Sequence, residues 1–159
     1  MASSAEGVST PPVPDAGEVV AVRSKRFGAF DVPRERILEF PAGLIGFPRG
    51  RRYVILEHRP GSPFKWLLSV DDPELAFAVA DPCELVAGYQ PPLEPAAKLL
   101  GVVPADVALF VIVTIPRDPK NMTVNLMAPV VVDTQTRRAR QMVIEDQGLS
   151  ACHPVVPAS

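Results

Sequence analysis

Four carboxylates crowd one short stretch of this 159-residue chain: Asp71, Asp72, Glu74 and Asp81. Paired carboxylates can relay protons as general acid and base, or gather oxygen ligands around a hard cation. A calcium loop, however, alternates its ligands around a turn glycine, whereas here Pro73 sits inside the cluster. The residues therefore read first as a turn, because Asp hydrogen-bonds its own nearby backbone and Pro cannot donate to a ladder. His58 and His153 have no Cys or carboxylate at metal-binding spacing. Ser69, His153 and an Asp can be written down as a nucleophilic triad, but no G-x-S-x-G elbow surrounds the serine, and triads are defined by geometry. No catalytic residue, metal or cofactor is expected, and the chain reads as a non-enzyme. Cys83 and Cys152 lie far apart, which fits reduced thiols better than a disulfide framework.

Arginine supplies the other chemistry. Arg49, Arg51 and Arg52, with Arg137, Arg138 and Arg140, raise the alternative of an RNA-binding β-barrel. Single-strand binders interleave such cations with stacking aromatics, which are missing here, so a solvated hairpin end is the plainer reading. The net charge of −2, spread along the chain, points neither to direct nucleic-acid binding nor to an anionic membrane. Gly43 and Gly46 could line a phosphate cradle, but the helix-opening GK[ST] or GxGxxG pattern is absent. They suit instead a tight turn with left-handed backbone, its apolar residues tucked under one end of a sheet.

What must position these groups is a set of short strands. Phe64, Trp66, Leu68 and Val70 alternate with Lys65, Leu67 and Ser69 at the period of two. Asp71-Asp72-Pro73 ends that strand, and Ala76 to Ala80 begins another, with Phe77 and Val79 on one face and three alanines on the other. Trp66, the one tryptophan, is expected to anchor this hairpin inside the core. Earlier strands are expected at Glu18 to Ser24, at Phe27 to Val32 and at Tyr53 to Leu56, with a short apolar segment at Ile37 to Phe40. Val107 to Ile115, apolar on both faces, reads as a central strand. Later ones are expected at Met122 to Leu126, Val130 to Asp133 and Gln141 to Ile144. Pro91 to Gly101 is the one expected helix, with Pro tolerated in its first turn and Gly101 placed to end it. Val155 and Val156 either clip onto the core or fray.

The fold class is thus mainly β, a single-domain antiparallel barrel-like sheet with one short helix. Residues 1–17, rich in Ser, Ala, Pro and Gly, read as a disordered N-terminal arm without a signal peptide, ahead of a domain at 18–156. The longest apolar runs fall far short of the ~20 residues of a membrane helix, so a cytoplasmic protein with no membrane partner is expected.

Four motifs then carry a resemblance. Phe40-Pro41-Ala42-Gly43-Leu44-Ile45-Gly46-Phe47, Pro63-Phe64-Lys65-Trp66-Leu67-Leu68-Ser69-Val70-Asp71-Asp72-Pro73, Thr123-Val124-Asn125-Leu126-Met127-Ala128-Pro129-Val130 and His153-Pro154 resemble, in order and spacing, the FliW family of flagellar assembly factors. The resemblance spans roughly Val22 to Val155. It implies a non-enzymatic protein that binds cytosolic flagellin and also the translational repressor CsrA, one partner excluding the other, so that flagellin synthesis follows secretion. Such switching asks for micromolar or tighter binding, on the order of 8 kcal/mol. Because the repressor binds RNA and should be basic, the turn bearing Asp71, Asp72 and Glu74 is expected to face it. Phe47 and Asn125, within the motifs, complete the expected partner-binding set.

Overall fold

The computed structural model describes residues 18–144 and 149–155. The expected arm and Val156 lie outside them. The chain opens with a hairpin of β1 (Val19–Ser24) and β2 (Gly28–Pro33), which forms a two-stranded sheet of its own. A larger sheet is built from β3 (Leu38–Glu39), β4 (Arg52–Glu57), β5 (Phe64–Ser69), β6 (Ala76–Ala80), β7 (Val107–Thr114), β8 (Thr123–Val124), β9 (Val130–Asp133), β10 (Ala139–Gln141) and β11 (His153–Pro154). Its order is β10-β9-β7-β6-β5-β4-β3, with β8 between β7 and β11, and each pairing is antiparallel. The sheet curls without closing into a continuous barrel. Its two edges meet through a parallel bridge between Glu39 and Arg138, where the Glu39 N–H donates to the Arg137 carbonyl at 2.9 Å.

The curl buries both faces of the central strands. Leu67, Val79, Val130 and Val132 point inward with Phe40, Leu44 and Tyr53, forming the interior of the curl. On the opposite face the β1–β2 hairpin covers Val54 and Leu68 with Val22 and Val32. Further along that face, Ala78 and Ala80 share a cluster with Ala96 of α2 (Leu93–Leu100). The alanine face of β6 lets the helix backbone come close, since a methyl group occupies little of the gap. Gly101 ends α2 in the left-handed region at φ 74°, as its position predicts. The central strand is β7, flanked by β6, β8 and β9.

Several expectations are corrected. Trp66 is only half-buried, and Tyr53 and Phe40 are the fully buried aromatics. The indole lies at the seam between hairpin and sheet: the Phe27 ring meets it edge-on at 5.7 Å, and the Arg26 guanidinium sits 4.6 Å above it. Its N–H donates to His58 Nδ1 at 3.3 Å. An indole needs a partner for that hydrogen, and here the ring is wedged between the hairpin tip, the His58 ring and the core with its N–H side at the surface. The strand expected over Met122 to Leu126 shrinks to Thr123–Val124, because the Asn125 side chain accepts from the Met127 and Ala128 N–H groups and turns the chain. The strand expected from Gln141 ends there instead, spanning Ala139–Gln141. A one-turn helix, α1 (Pro82–Leu85), follows β6 where only a strand end was expected. Asp81 caps it, accepting from the Cys83 N–H at 2.8 Å, with Pro82 at the first helical position. Of the tail, Val155 is buried and β11 pairs with β8.

Candidate functional site

The acidic turn connects β5 to β6, and Ser69 builds it. Its buried hydroxyl accepts from the N–H groups of Asp71 and Asp72, at 3.2 and 2.9 Å, and so ends the strand at Ser69 itself, before Pro73 is reached. That hydrogen-bonding role, with His153 out on β11 against Val124, leaves the notional triad unassembled. The three carboxylates point different ways. Asp71 accepts from Arg52 in a surface ion pair at 2.7 Å. Asp72 turns one oxygen back to the Glu74 N–H at 3.0 Å and keeps the other free. Glu74 lines a separate depression with Lys25 and Arg26 of the first hairpin. Among the described residues neither Asp72 nor Glu74 forms an ion pair; Arg49 lines the wall near Asp72, and Lys25 and Arg26 stand beside Glu74.

Beside this turn stands the loop between β3 and β4. Leu44 and Phe47 bond each other across a two-residue turn, with N–H to carbonyl distances of 3.3 and 2.8 Å, and Gly46 at φ 87° takes its second position. Only glycine enters that region freely, and the tip residue Ile45 is thrown outward, 57 % exposed. Phe47 is also exposed, yet it is anchored from below. An aromatic ladder runs inward from Phe47 to Phe77 at 5.2 Å, to Tyr53 at 6.4 Å and to Phe40 at 5.1 Å, each step tilted or edge-on. Loop and turn together enclose an open cleft of about 510 Å³ lined by Phe47, Pro48, Arg49, Asp71, Asp72 and Leu75 among others.

Of the five expected partner-binding residues, the fold thus brings Phe47, Asp71 and Asp72 to one cleft. Glu74 stands on the same turn, facing its other side, and Asn125 lies apart, beyond the end of β8. Ile45 and Leu75 were not singled out from the sequence; an apolar residue at the tip of a glycine turn was the available signal for Ile45. The arginine clusters also converge: Arg52 and Arg137 line a cleft with Arg34 where the sheet edges meet. Glu18 and Glu39 line it too, Arg34 pairs with Glu18 at 3.0 Å and Arg52 with Asp71, so the positive charge is largely offset. A larger groove, about 740 Å³, runs between the α1–α2 connection and the C-terminal segment, with Tyr89, Pro91, Pro92, Leu126, Ile144 and His153 in its wall. Among the described residues no group of three His, Cys, Asp or Glu side chains is placed to hold a metal ion.

Below the cleft, Tyr53 is wholly buried and its hydroxyl has no protein partner. Burial, reinforced by the charges of Asp71 and Asp72, pushes its pKa from 10.0 up to about 12. A phenol whose folded-state pKa is raised adds stability in full below the unfolded value and loses it as pH rises through the folded one. Thermal stability followed by circular dichroism should therefore fall between pH 10 and about 12. Tyr53→Phe should remove the part of that fall due to this phenol, and an unchanged alkaline limb would assign the loss to other groups.

The family profile described as FliW protein matches residues 21–155. The chain belongs to the FliW family. The flagellar assembly factor FliW of Natranaerobius thermophilus is 34 % identical over 139 residues, covering 84 % of this chain and 91 % of that one. That of Bdellovibrio bacteriovorus is 38 % identical over 136 residues, covering 84 % and 78 %. A crystal structure of the flagellar assembly factor FliW superposes with a TM-score of 0.77 at 27 % identity, over 87 % of this chain and 99 % of the other. FliW is thus a family of assembly factors, not of enzymes, and this chain has a role in flagellar assembly. Among the described residues of this FliW chain, no helix is long and apolar enough to cross a membrane.

Proposed function

We propose that this FliW chain works in the cytoplasm, binding flagellin and antagonising the translational repressor CsrA by partner switching, so that flagellin synthesis is coupled to secretion. The observation that carries the repressor-binding part is the convergence of Phe47, Asp71 and Asp72 on one cleft from segments that are distant in sequence. An exposed aromatic on a rigid turn offers apolar contact at low ordering cost, and a neighbouring free carboxylate favours a basic partner. Flagellin binding rests more on apolar contact and depends less on this charge. The protein acts stoichiometrically, without a cofactor.

Reversing Asp72 and Glu74 to Lys tests the reading. Asp71 is paired with Arg52, so the reversal is made at the two carboxylates of the turn that have no ion-pair partner among the described residues. Association with the repressor should slow by about tenfold at low salt and converge on the wild-type rate at high salt, because the field is screened beyond ~8 Å at physiological ionic strength. Flagellin association should change much less. Circular dichroism first establishes that the variant folds, since Asp72 also holds the Glu74 N–H. Wild-type association rates at every salt concentration would remove the acidic turn from the repressor interface.

A further inference from the structure

The turn that carries Ile45 and Phe47 satisfies its own hydrogen bonds except at the tip. Leu44 and Phe47 exchange theirs, and the Gly43 N–H reaches the Phe40 carbonyl at 2.9 Å. The Ile45 N–H is left pointing away from the turn, and it donates to Gln141 Oε1 at 2.8 Å across 96 positions of sequence. The same side chain donates from Nε2 to the Ala128 carbonyl at 3.0 Å. These two partners fix the amide's orientation by chemistry alone, since a flipped amide would set donor against donor and acceptor against acceptor. Gln141 is half-buried at the end of β10, whose register with β9 is set by the tight β9–β10 turn. There the Asp133 carboxylate accepts from the Thr136 hydroxyl at 2.7 Å and from the Gln135 N–H at 2.9 Å, which holds its pKa below the ordinary value. Ala128, in turn, belongs to the loop whose shape Asn125 fixes through Oδ1. One chain of hydrogen bonds thus runs from Asn125 through Ala128 and Gln141 to Ile45.

We propose that Gln141 is the positioning residue that holds the Ile45–Phe47 turn in its docking pose. The inference rests on the repressor-binding reading above. Two large apolar side chains on an exposed loop lose freedom when they bind, and ordering them beforehand removes part of that cost. The aromatic ladder fixes the Phe47 side of the turn, and Gln141 fixes the Ile45 side. The contribution of Asn125 to partner binding is then indirect: it sets the carbonyl on which Gln141 hangs.

Gln141→Leu removes both hydrogen bonds at similar volume, whereas Gln141→Glu keeps an acceptor for Ile45 and loses the donor to Ala128. Amide exchange by NMR reads the Ile45 N–H directly, and titration with the purified repressor reads the affinity. In Gln141→Leu, Ile45 exchange should speed markedly and affinity should fall by about tenfold, with melting temperature little changed. Gln141→Glu should fall between Leu and wild type on both readouts. If Gln141→Leu fails to fold, Gln141→Glu decides on the same measurements. Unchanged Ile45 exchange, or faster exchange with wild-type affinity, overturns the proposal. Phe47→Ser serves as the control for the underlying reading: if it binds the repressor as wild type does, the cleft is not the docking site and the role of Gln141 falls with it. Lost binding in Phe47→Ser beside wild-type binding in Gln141→Leu overturns the positioning role alone.

Discussion

Tyr53→Ala should cost about 3 to 5 kcal/mol, a large part of the ~5 to 15 kcal/mol that stabilises a typical domain, because it empties a fully buried aromatic site. Tyr53 packs edge-on with Phe40 and leans on Phe77, so its loss would leave a void in the interior of the curled sheet and remove the support under Phe47. A fall in melting temperature of about 10 to 15 °C is expected, with weakened partner binding. Tyr53→Phe should behave in the opposite way. The hydroxyl is buried without a protein partner, and a polar group in that state carries a penalty of about 1 to 3 kcal/mol, so deleting it should leave stability equal or higher. A loss of more than about 1 kcal/mol on Tyr53→Phe would mean that the hydroxyl has a partner such as an ordered water. Gly50 belongs to the same argument: a methyl group there would stand 2.7 Å from the Tyr53 hydroxyl. Any damage from Gly50→Ala should be smaller when Tyr53 is already Phe, the non-additivity expected of residues in contact.

Gly43→Ala should destabilise by about 3 kcal/mol, combining left-handed backbone strain of about 1 to 2 with overpacking of similar size. Gly43 has φ 68°, and a Cβ built on it would lie 2.7 Å from both the Phe47 carbonyl oxygen and Pro48 Cα. These are backbone atoms that cannot swing aside as a flexible side chain can. Gly46 provides the comparison, since its φ of 87° is equally left-handed but nothing lies within 4 Å of the added carbon. Gly46→Ala should therefore cost only the strain, about 1 to 2 kcal/mol. Urea unfolding of the two variants separates close approach from backbone conformation, and equal losses would refute the packing part. Because the atom struck is the Phe47 carbonyl, Gly43→Ala should also disturb repressor binding beyond its effect on stability.

What depends on neighbours along the chain was legible in the residues alone. The period of two in β5 and β6, the apolar runs of β4 and β7, the breakers at Asp71-Asp72-Pro73, the left-handed glycines at 43 and 46 and the helix ended by Gly101 are all local signals, and the elements appear where those signals place them. The family was legible too, because its motifs lie in these same turns and strands. The short pieces were not. Side-chain hydrogen bonds from Asn125 and Asp81 override strand propensity over two or three residues, where pattern carries little weight. Nor was the depth of Trp66, since alternation assigns a residue to a face but not the element that covers it. Tertiary structure alone decided the site. Antiparallel pairing of β4 with β5 sets Tyr53 opposite Ser69, and this register delivers the loop of Phe47 to the turn of Asp72. Gln141 reaches Ile45 only because the sheet curls until its edges touch at Glu39 and Arg138. Strand pairing sums many weak long-range contacts, each indistinguishable along the chain from its competitors, so proximity between distant segments is a property of the folded sheet and not of any stretch of sequence.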